Sequence, residues 1–205
     1  RTGIGLDNLD LKLLRKSKIK VTYTPEAPTQ TVAEYVIGLM IYLLRNMHVS
    51  KKNFSKGKWL KIYGKNLNES KIGIVGFGRI GFELARLLRT FNCKDILVND
   101  INIDKINLKK YSIKKATKNK IFKNCNIITL HLPLTKQTKN LVTKKEINLM
   151  RNDAILINTS RGGIINENHL YEALKNKKIH SAALDVYSKE PYFGSLKKLD
   201  NCHCT

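Results

Sequence analysis

From Lys71 onward, short apolar runs alternate with longer stretches of mixed character. The runs are 72–75, 96–99, 127–132, 154–158 and 179–184. A continuous apolar run bounded by turn residues predicts a strand buried on both faces. The intervening stretches 80–91, 117–124, 144–150 and 167–176 space their apolar residues as helices do. In the first, Phe82, Ala85, Leu88 and Phe91 recur every third residue and predict the stripe that packs on a sheet. Strand and helix in regular alternation predict an α/β fold, a doubly wound parallel sheet covered on both faces.

The first seventy residues read differently. A Gly-containing loop, a short helix at 9–15 and a strand at 19–23 lead to the break "TPEAPTQ", with Pro25 and Pro28. Thr31 and Glu34 have the spacing of a capping box and predict a helix start, with the helix running to about residue 45. Apolar residues surround that helix almost completely, which predicts burial between two bodies. A second, polar helix is expected over 48–57, before Trp59.

Composition narrows the possibilities. The chain has 205 residues, enough for one domain and part of another, and begins with Arg and ends at "NCHCT". Both ends are expected to be cut from a longer chain. No apolar run approaches the roughly 20 residues that span a bilayer, and no signal peptide is expected. Four cysteines are too few for a disulfide scaffold, so a reducing cytoplasm is expected. Cys202-His203-Cys204 lacks the spacing of a zinc site and reads as a strand with alternating side chains; no metal is assigned. The net charge of +22 raises an anionic partner. Yet the 30 Lys are spread over nearly every polar segment and no aromatics interleave with them, which argues against nucleic acid.

The candidate chemistry sits at strand ends. "GIVGFGRIG" carries Gly76-x-Gly78-x-x-Gly81 after a strand and at the opening of a helix. In that context the first glycine permits a tight turn and the second lets a pyrophosphate reach the backbone. The third lets the helix pack close to its strand. The helix N-terminus, with Ile80 in its first turn, offers N–H groups to phosphate; Arg79 could add a contact or lie on the surface. Asp100, 19 residues after Gly81, ends the next strand, where a carboxylate accepts from ribose hydroxyls and disfavours a 2′-phosphate. The alternative is that it only starts a turn. His131 reads as structural. Arg161, Asp185 and Glu190 follow later strands and are expected to converge at one crevice. There a guanidinium suits a carboxylate, unless Arg161 and Glu190 merely pair.

The set "RTGIGLDNLD", "TVAEYVIGLM", "GIVGFGRIG", "LHLPLTKQTKNLV", "ILINTSRGGIINE" and "AALDVYSKEP" resembles the D-isomer-specific 2-hydroxyacid dehydrogenases, nearest their phosphoglycerate dehydrogenase-like branch. The resemblance covers essentially the whole chain. It implies a Rossmann NAD-binding domain over 24–205 and, in 1–23, a remnant of a flavodoxin-like substrate domain. It implies NAD as cofactor, a homodimer formed through the NAD domain and a small 2-hydroxy or 2-keto acid as substrate. No membrane partner is expected. Arg161 falls on the substrate-binding arginine, Glu190 on the glutamate that pairs with the catalytic histidine, and Asp185 near the nicotinamide. Leu132, Pro133, Thr159 and Ser160 fall along the cofactor, and the N–H groups of Ile4 and Gly5 on the far side of the substrate.

The family's histidine stands in a Pro-His pair just beyond the position of Thr205, so this stretch alone is expected to bind NAD and turn over little. His203 lies before that position and is not assigned as the acid. The implied substrate is 3-phosphoglycerate, in serine biosynthesis, with glyoxylate or hydroxypyruvate next. A non-catalytic, NAD-responsive corepressor is the alternative from another class. A formate-dehydrogenase-like enzyme is disfavoured by Glu190.

Overall fold

The computed structural model describes residues 3, 5–6, 9–103, 108–111 and 113–205. Among them seven strands form one sheet: β1 (Ile72–Val75), β2 (Ile96–Asn99), β3 (Lys114–Lys115), β4 (Ile127–Leu130), β5 (Ile155–Asn158), β6 (Ser181–Leu184) and β7 (Cys202–Cys204). Their order is β3-β2-β1-β4-β5-β6-β7, and every pairing is parallel. This is the doubly wound order with its reversal between β1 and β4.

The helices are α1 (Leu11–Lys16), α2 (Pro28–Leu44), α3 (Met47–Ser55), α4 (Arg79–Thr90), α5 (Lys118–Asn124), α6 (Lys144–Leu149) and α7 (Glu167–Lys175). The strands' alternating side chains divide the interior in two. Ile72, Ile74, Ile96, Val98, Ile127, Ile155 and Ile157 join α2 and α4 on one face. Val75, Leu97, Ile128, Leu130, Leu156 and Leu184 join α5, α6 and α7 on the other. Both faces are buried, so the strands carry no polar alternation, as the apolar runs predicted.

Four expectations need correction. Residues 19–23 belong to none of the described strands. Helix α2 starts at Pro28, whose fixed φ suits the first turn, so Thr31 lies inside it and is not its cap. A true capping box instead opens α6, from Thr143 and Glu146. On α4 the buried stripe is Gly81, Leu84, Ala85 and Leu88, while Phe91 is exposed. Spacing by three alone drifts around a helix; alternation of three and four holds the face. Finally, α2 packs on α4 and on β5, but its Thr31, Glu34 and Gly38 face outward, so apolar residues do not surround it completely.

A histidine cluster joins α2, α3 and β7. Tyr42 has its ring 4.6 Å from His203 and 5.7 Å from His48, and His180 Nε2 lies 3.3 Å from Asn46 Oδ1. Burial lowers the pKa of all three histidines. For His48 the charges of His180 and His203 add to this against Asp200; for His180 Lys65 adds against Asp153. Folded values below the unfolded value of about 6.5 mean a contribution complete above that pH and lost as pH falls through the folded values. The melting temperature is therefore expected to drop between pH 7 and 5, and less so in His203→Phe. A flat profile over that window in the unsubstituted protein would contradict this.

Candidate functional site

Strand register brings the candidates together. Asn99, Val75, Leu130, Asn158, Leu184 and Cys204 are successive partners across the sheet. The next residue of each strand therefore occupies one row along the carboxyl edge: Asp100, Gly76, His131, Thr159, Asp185 and Thr205. In open parallel sheets ligands bind outside this edge, at the reversal of strand order.

At that reversal the backbone is crowded on one side and bare on the other. Gly76 has φ +96°, and a Cβ there would lie 2.2 Å from the His131 carbonyl oxygen. A Cβ on Gly81 would lie 2.3 Å from the Gly76 carbonyl oxygen, so α4 can approach β1 only without it. Gly78, the residue before α4, has open space where its Cβ would project, and no side chain caps the helix. Ile80 is half-buried in the first turn and Arg79 is exposed. The arrangement leaves amide groups at a helix N-terminus, a place that favours anions.

Asp100 faces this loop. Its Oδ2 accepts from the Phe77 N–H at 2.7 Å, while its Oδ1 accepts from the Asn102 N–H at 2.8 Å. The turn reading of this residue is seen in the Asn102 contact, and the Phe77 contact ties its carboxylate to the glycine loop. His131 Nε2 pairs with the Thr129 hydroxyl at 2.9 Å, and burial pushes its pKa down to about 4. Burial thus favours its uncharged form, and the Thr129 contact fixes the ring. Leu132 lies within 3.0 Å of the position a Gly76 Cβ would take, and Pro133 is exposed, its carbonyl accepting from Thr138.

The turn that carries Arg161 is organised by Asn158, a residue the sequence reading did not single out. Its buried amide donates to the Arg161 carbonyl at 2.9 Å. Its Oδ1 accepts from the Ser160 N–H at 3.1 Å and the Ser160 hydroxyl at 2.8 Å. The neighbouring Thr159 Oγ1 is buried without a hydrogen-bond partner. Gly162 was also missed. Its ideal Cβ would sit 1.8 Å from the Tyr187 carbonyl oxygen, so the arginine turn and the loop after β6 touch backbone to backbone. The first letter of "NTSRGG" and the doubled glycine carried the signal.

That contact sets Arg161 beside the loop of Asp185 and Glu190. Glu190 Oε1 accepts from the Tyr187 N–H at 3.0 Å, and Asp185 Oδ1 accepts from the Thr205 hydroxyl at 2.9 Å. An Arg161–Glu190 ion pair is not among those of the described residues. Asp185, Glu190, Tyr187, Tyr192, Cys204 and Thr205 line a cavity of about 470 Å³. Gly5 is half-buried near the start of the chain; Ile4, expected beside it, lies outside the described residues.

Residues 37–205 match the family model described as "D-isomer specific 2-hydroxyacid dehydrogenase, NAD binding domain". The chain is 36% identical to a D-3-phosphoglycerate dehydrogenase of Methanocaldococcus jannaschii over 93% of its own length and 37% of that protein's. It is 34% identical to a hydroxypyruvate reductase of Thermotoga maritima, covering 100% of this chain and 68% of that one. A D-lactate dehydrogenase of Aquifex aeolicus, solved with NAD and lactic acid, superposes with a TM-score of 0.89 at 26% identity. That match covers 99% of this chain and 66% of that one. The chain thus spans between about a third and two thirds of these relatives. By fold, by strand-end residues and by family match, it belongs to the D-isomer specific 2-hydroxyacid dehydrogenases, whose NAD-binding domain it carries.

Proposed function

We propose that the protein is an NAD-dependent dehydrogenase of 2-hydroxy acids, in which 24–205 form the NAD-binding domain and 1–23 the end of a substrate-domain segment. The observation that carries the reading is the bare backbone from Gly76 to Gly81, facing Asp100 across the β1–β2 edge. The residues present fit a dinucleotide. The space beyond Gly78 admits a pyrophosphate to the α4 amides, with Arg79 at its outer side. Asp100 accepts from the adenosine ribose. Leu132 and Pro133 cover the cofactor from β4, and Thr159 and Ser160 from β5. The orphaned Thr159 hydroxyl would gain there the partner it lacks. Asp185 stands at the nicotinamide end.

When bound, NAD supplies the two-electron exchange with the substrate's C2. The protein's residues do the rest. The Arg161 guanidinium holds the acid's carboxylate and polarises the oxygen on C2, and the Gly5 amide supplies a further donor to the carboxylate. Glu190, fixed through one oxygen to the Tyr187 amide, presents its carboxylate to an imidazole and raises that imidazole's pKa.

The name and 36% identity of the M. jannaschii relative favour 3-phosphoglycerate as the acid, and the +22 charge suits a phosphorylated one. Hydroxypyruvate or glyoxylate is the second choice, favoured by the longer coverage of the T. maritima relative. Two surfaces support a homodimer. One is the outward side of α2. The other is the apolar surface of Met47, Phe54, Trp59, Leu60 and Tyr63, with Trp59 83% exposed. The four free thiols suit a reducing cytoplasm. Among the described residues no helix is long and apolar enough to cross a membrane.

Titration with NADH, followed by nicotinamide fluorescence, is expected to show saturable binding tighter than that of NADPH. Asp100→Ala should weaken NADH about tenfold, about 1.4 kcal/mol, and narrow the gap to NADPH. Absence of saturable NADH binding would refute the reading. Gly162→Ala drives a methyl into the Tyr187 carbonyl and is expected to cost about 1–3 kcal/mol in urea unfolding. An unchanged midpoint would show that the two loops do not meet as described.

A further inference from the structure

Three of the six residues from Gly76 to Gly81 are glycines, so few side chains of the loop can hold its shape. Phe77 is one that does. It stands between two of the glycines, yet it is only 2% exposed and joins the core face shared with α2 and α4. Its ring meets the Phe82 ring edge-on, with 6.0 Å between centroids and 71° between planes. Phe82 meets Tyr111 edge-on in turn, at 5.0 Å and 86°. Both separations lie in the range that aromatic pairs favour. The three rings sit on three pieces of backbone. Phe77 belongs to the glycine loop. Phe82 belongs to α4, and its N–H closes the first turn on the Gly78 carbonyl at 2.9 Å. Tyr111 ends a short helical turn, Leu108–Tyr111, in the connection from β2 to β3 that Asp100 opens. The main chain makes a second link between the same segments, since the Phe77 N–H donates to Asp100 Oδ2 at 2.7 Å.

We propose that Phe82 is a positioning residue for the dinucleotide: its ring, between those of Phe77 and Tyr111, holds the glycine loop in register with Asp100. It acts through Phe77 and Asp100 and need not touch the cofactor. The inference rests on the dinucleotide reading of this site and adds what keeps the site in shape. A loop rich in glycine loses much backbone freedom when it is ordered. Where the rings order it beforehand, that cost falls on folding and not on binding. The two groups served by the rings differ in their demands. Phosphate is drawn to the α4 amides by a partial charge that tolerates small displacements. A carboxylate that accepts from ribose hydroxyls needs a set distance and direction. Loosening the rings therefore acts first on ribose recognition. NADH, which gains from Asp100, loses more than NADPH, whose 2′-phosphate the same carboxylate opposes.

The test compares NADH and NADPH binding, by nicotinamide fluorescence, in the unsubstituted chain, Phe82→Leu, Phe82→Tyr, Asp100→Ala and the double variant of Phe82→Leu with Asp100→Ala. Each is checked for folding by circular dichroism. Phe82→Leu keeps apolar bulk and removes the ring; it should weaken NADH about fivefold, about 1 kcal/mol, and NADPH less than about twofold. Phe82→Tyr keeps the ring and should stay within about twofold of the unsubstituted chain. In the Asp100→Ala background, Phe82→Leu should cost less than about twofold, because the group it positions is gone. With no dinucleotide present, hydrogen exchange at the Phe77 amide should run about tenfold faster in Phe82→Leu. If Phe82→Leu does not fold, Tyr111→Leu removes the far ring and is expected to give the same loss of NADH preference. Equal losses for NADH and NADPH, an undiminished loss in the Asp100→Ala background, unchanged NADH binding or an unchanged Phe77 exchange rate would each overturn the proposal. Failure of the unsubstituted chain to bind NADH would overturn the dinucleotide reading instead, and the exchange rate would still decide whether the rings hold the loop.

Discussion

The molecule is organised around a close approach of backbone to backbone. The first strand of the sheet turns at Gly76 directly under the carbonyl of His131, and α4 begins so near that turn that Gly81 all but touches the Gly76 carbonyl. No side chain fits at either point. The consequence is a helix N-terminus placed at the carboxyl edge of the sheet, where the strand order reverses between the adjacent β1 and β4. A second approach of the same kind, Gly162 on the Tyr187 carbonyl, places the arginine turn against the loop after β6. Hydrophobic burial on two faces supplies most of the drive to fold, but these contacts decide where the polar groups stand.

The polar groups fall into two sets by what their hydrogen bonds accomplish. Asn158 and Thr129 are buried and hydrogen-bonded to their neighbours, which they hold in place. Asp100 and Glu190 are held through backbone amides at one edge, which sets their direction while keeping the carboxylates at the rim. A strongly basic chain of net charge +22 adds a long-range attraction for anions that is not specific to any of them. Specificity must come from the short-range geometry at the strand ends.

Much of this was legible in the sequence, for a physical reason. Strands buried on both faces cannot hide polar residues, so 72–75, 96–99 and 127–132 declare themselves as apolar runs, the last overrunning its strand by two residues, and glycines mark crowding that no other residue tolerates. What was not legible depends on tertiary contact. Thr31 and Glu34 have capping-box spacing, but Pro28 is already pre-set for the first turn and the helix begins there. Phe91 continues a three-residue period yet faces solvent, because packing against the sheet follows Leu84, Ala85 and Leu88. The two-residue β3, Lys114–Lys115, is an exposed edge that only pairing with β2 defines. Asn158 and Gly162 look like ordinary turn residues until the loop after β6 is seen to rest on them.

The central claim is that a dinucleotide's pyrophosphate lies on the bare backbone at the start of α4. Amide chemical shifts recorded with and without NAD test it most directly. The account predicts the largest shifts at 77–81, with further ones at residues 132 and 159–160 along the same edge. Saturating changes confined to other surfaces, with 77–81 unmoved, would contradict it.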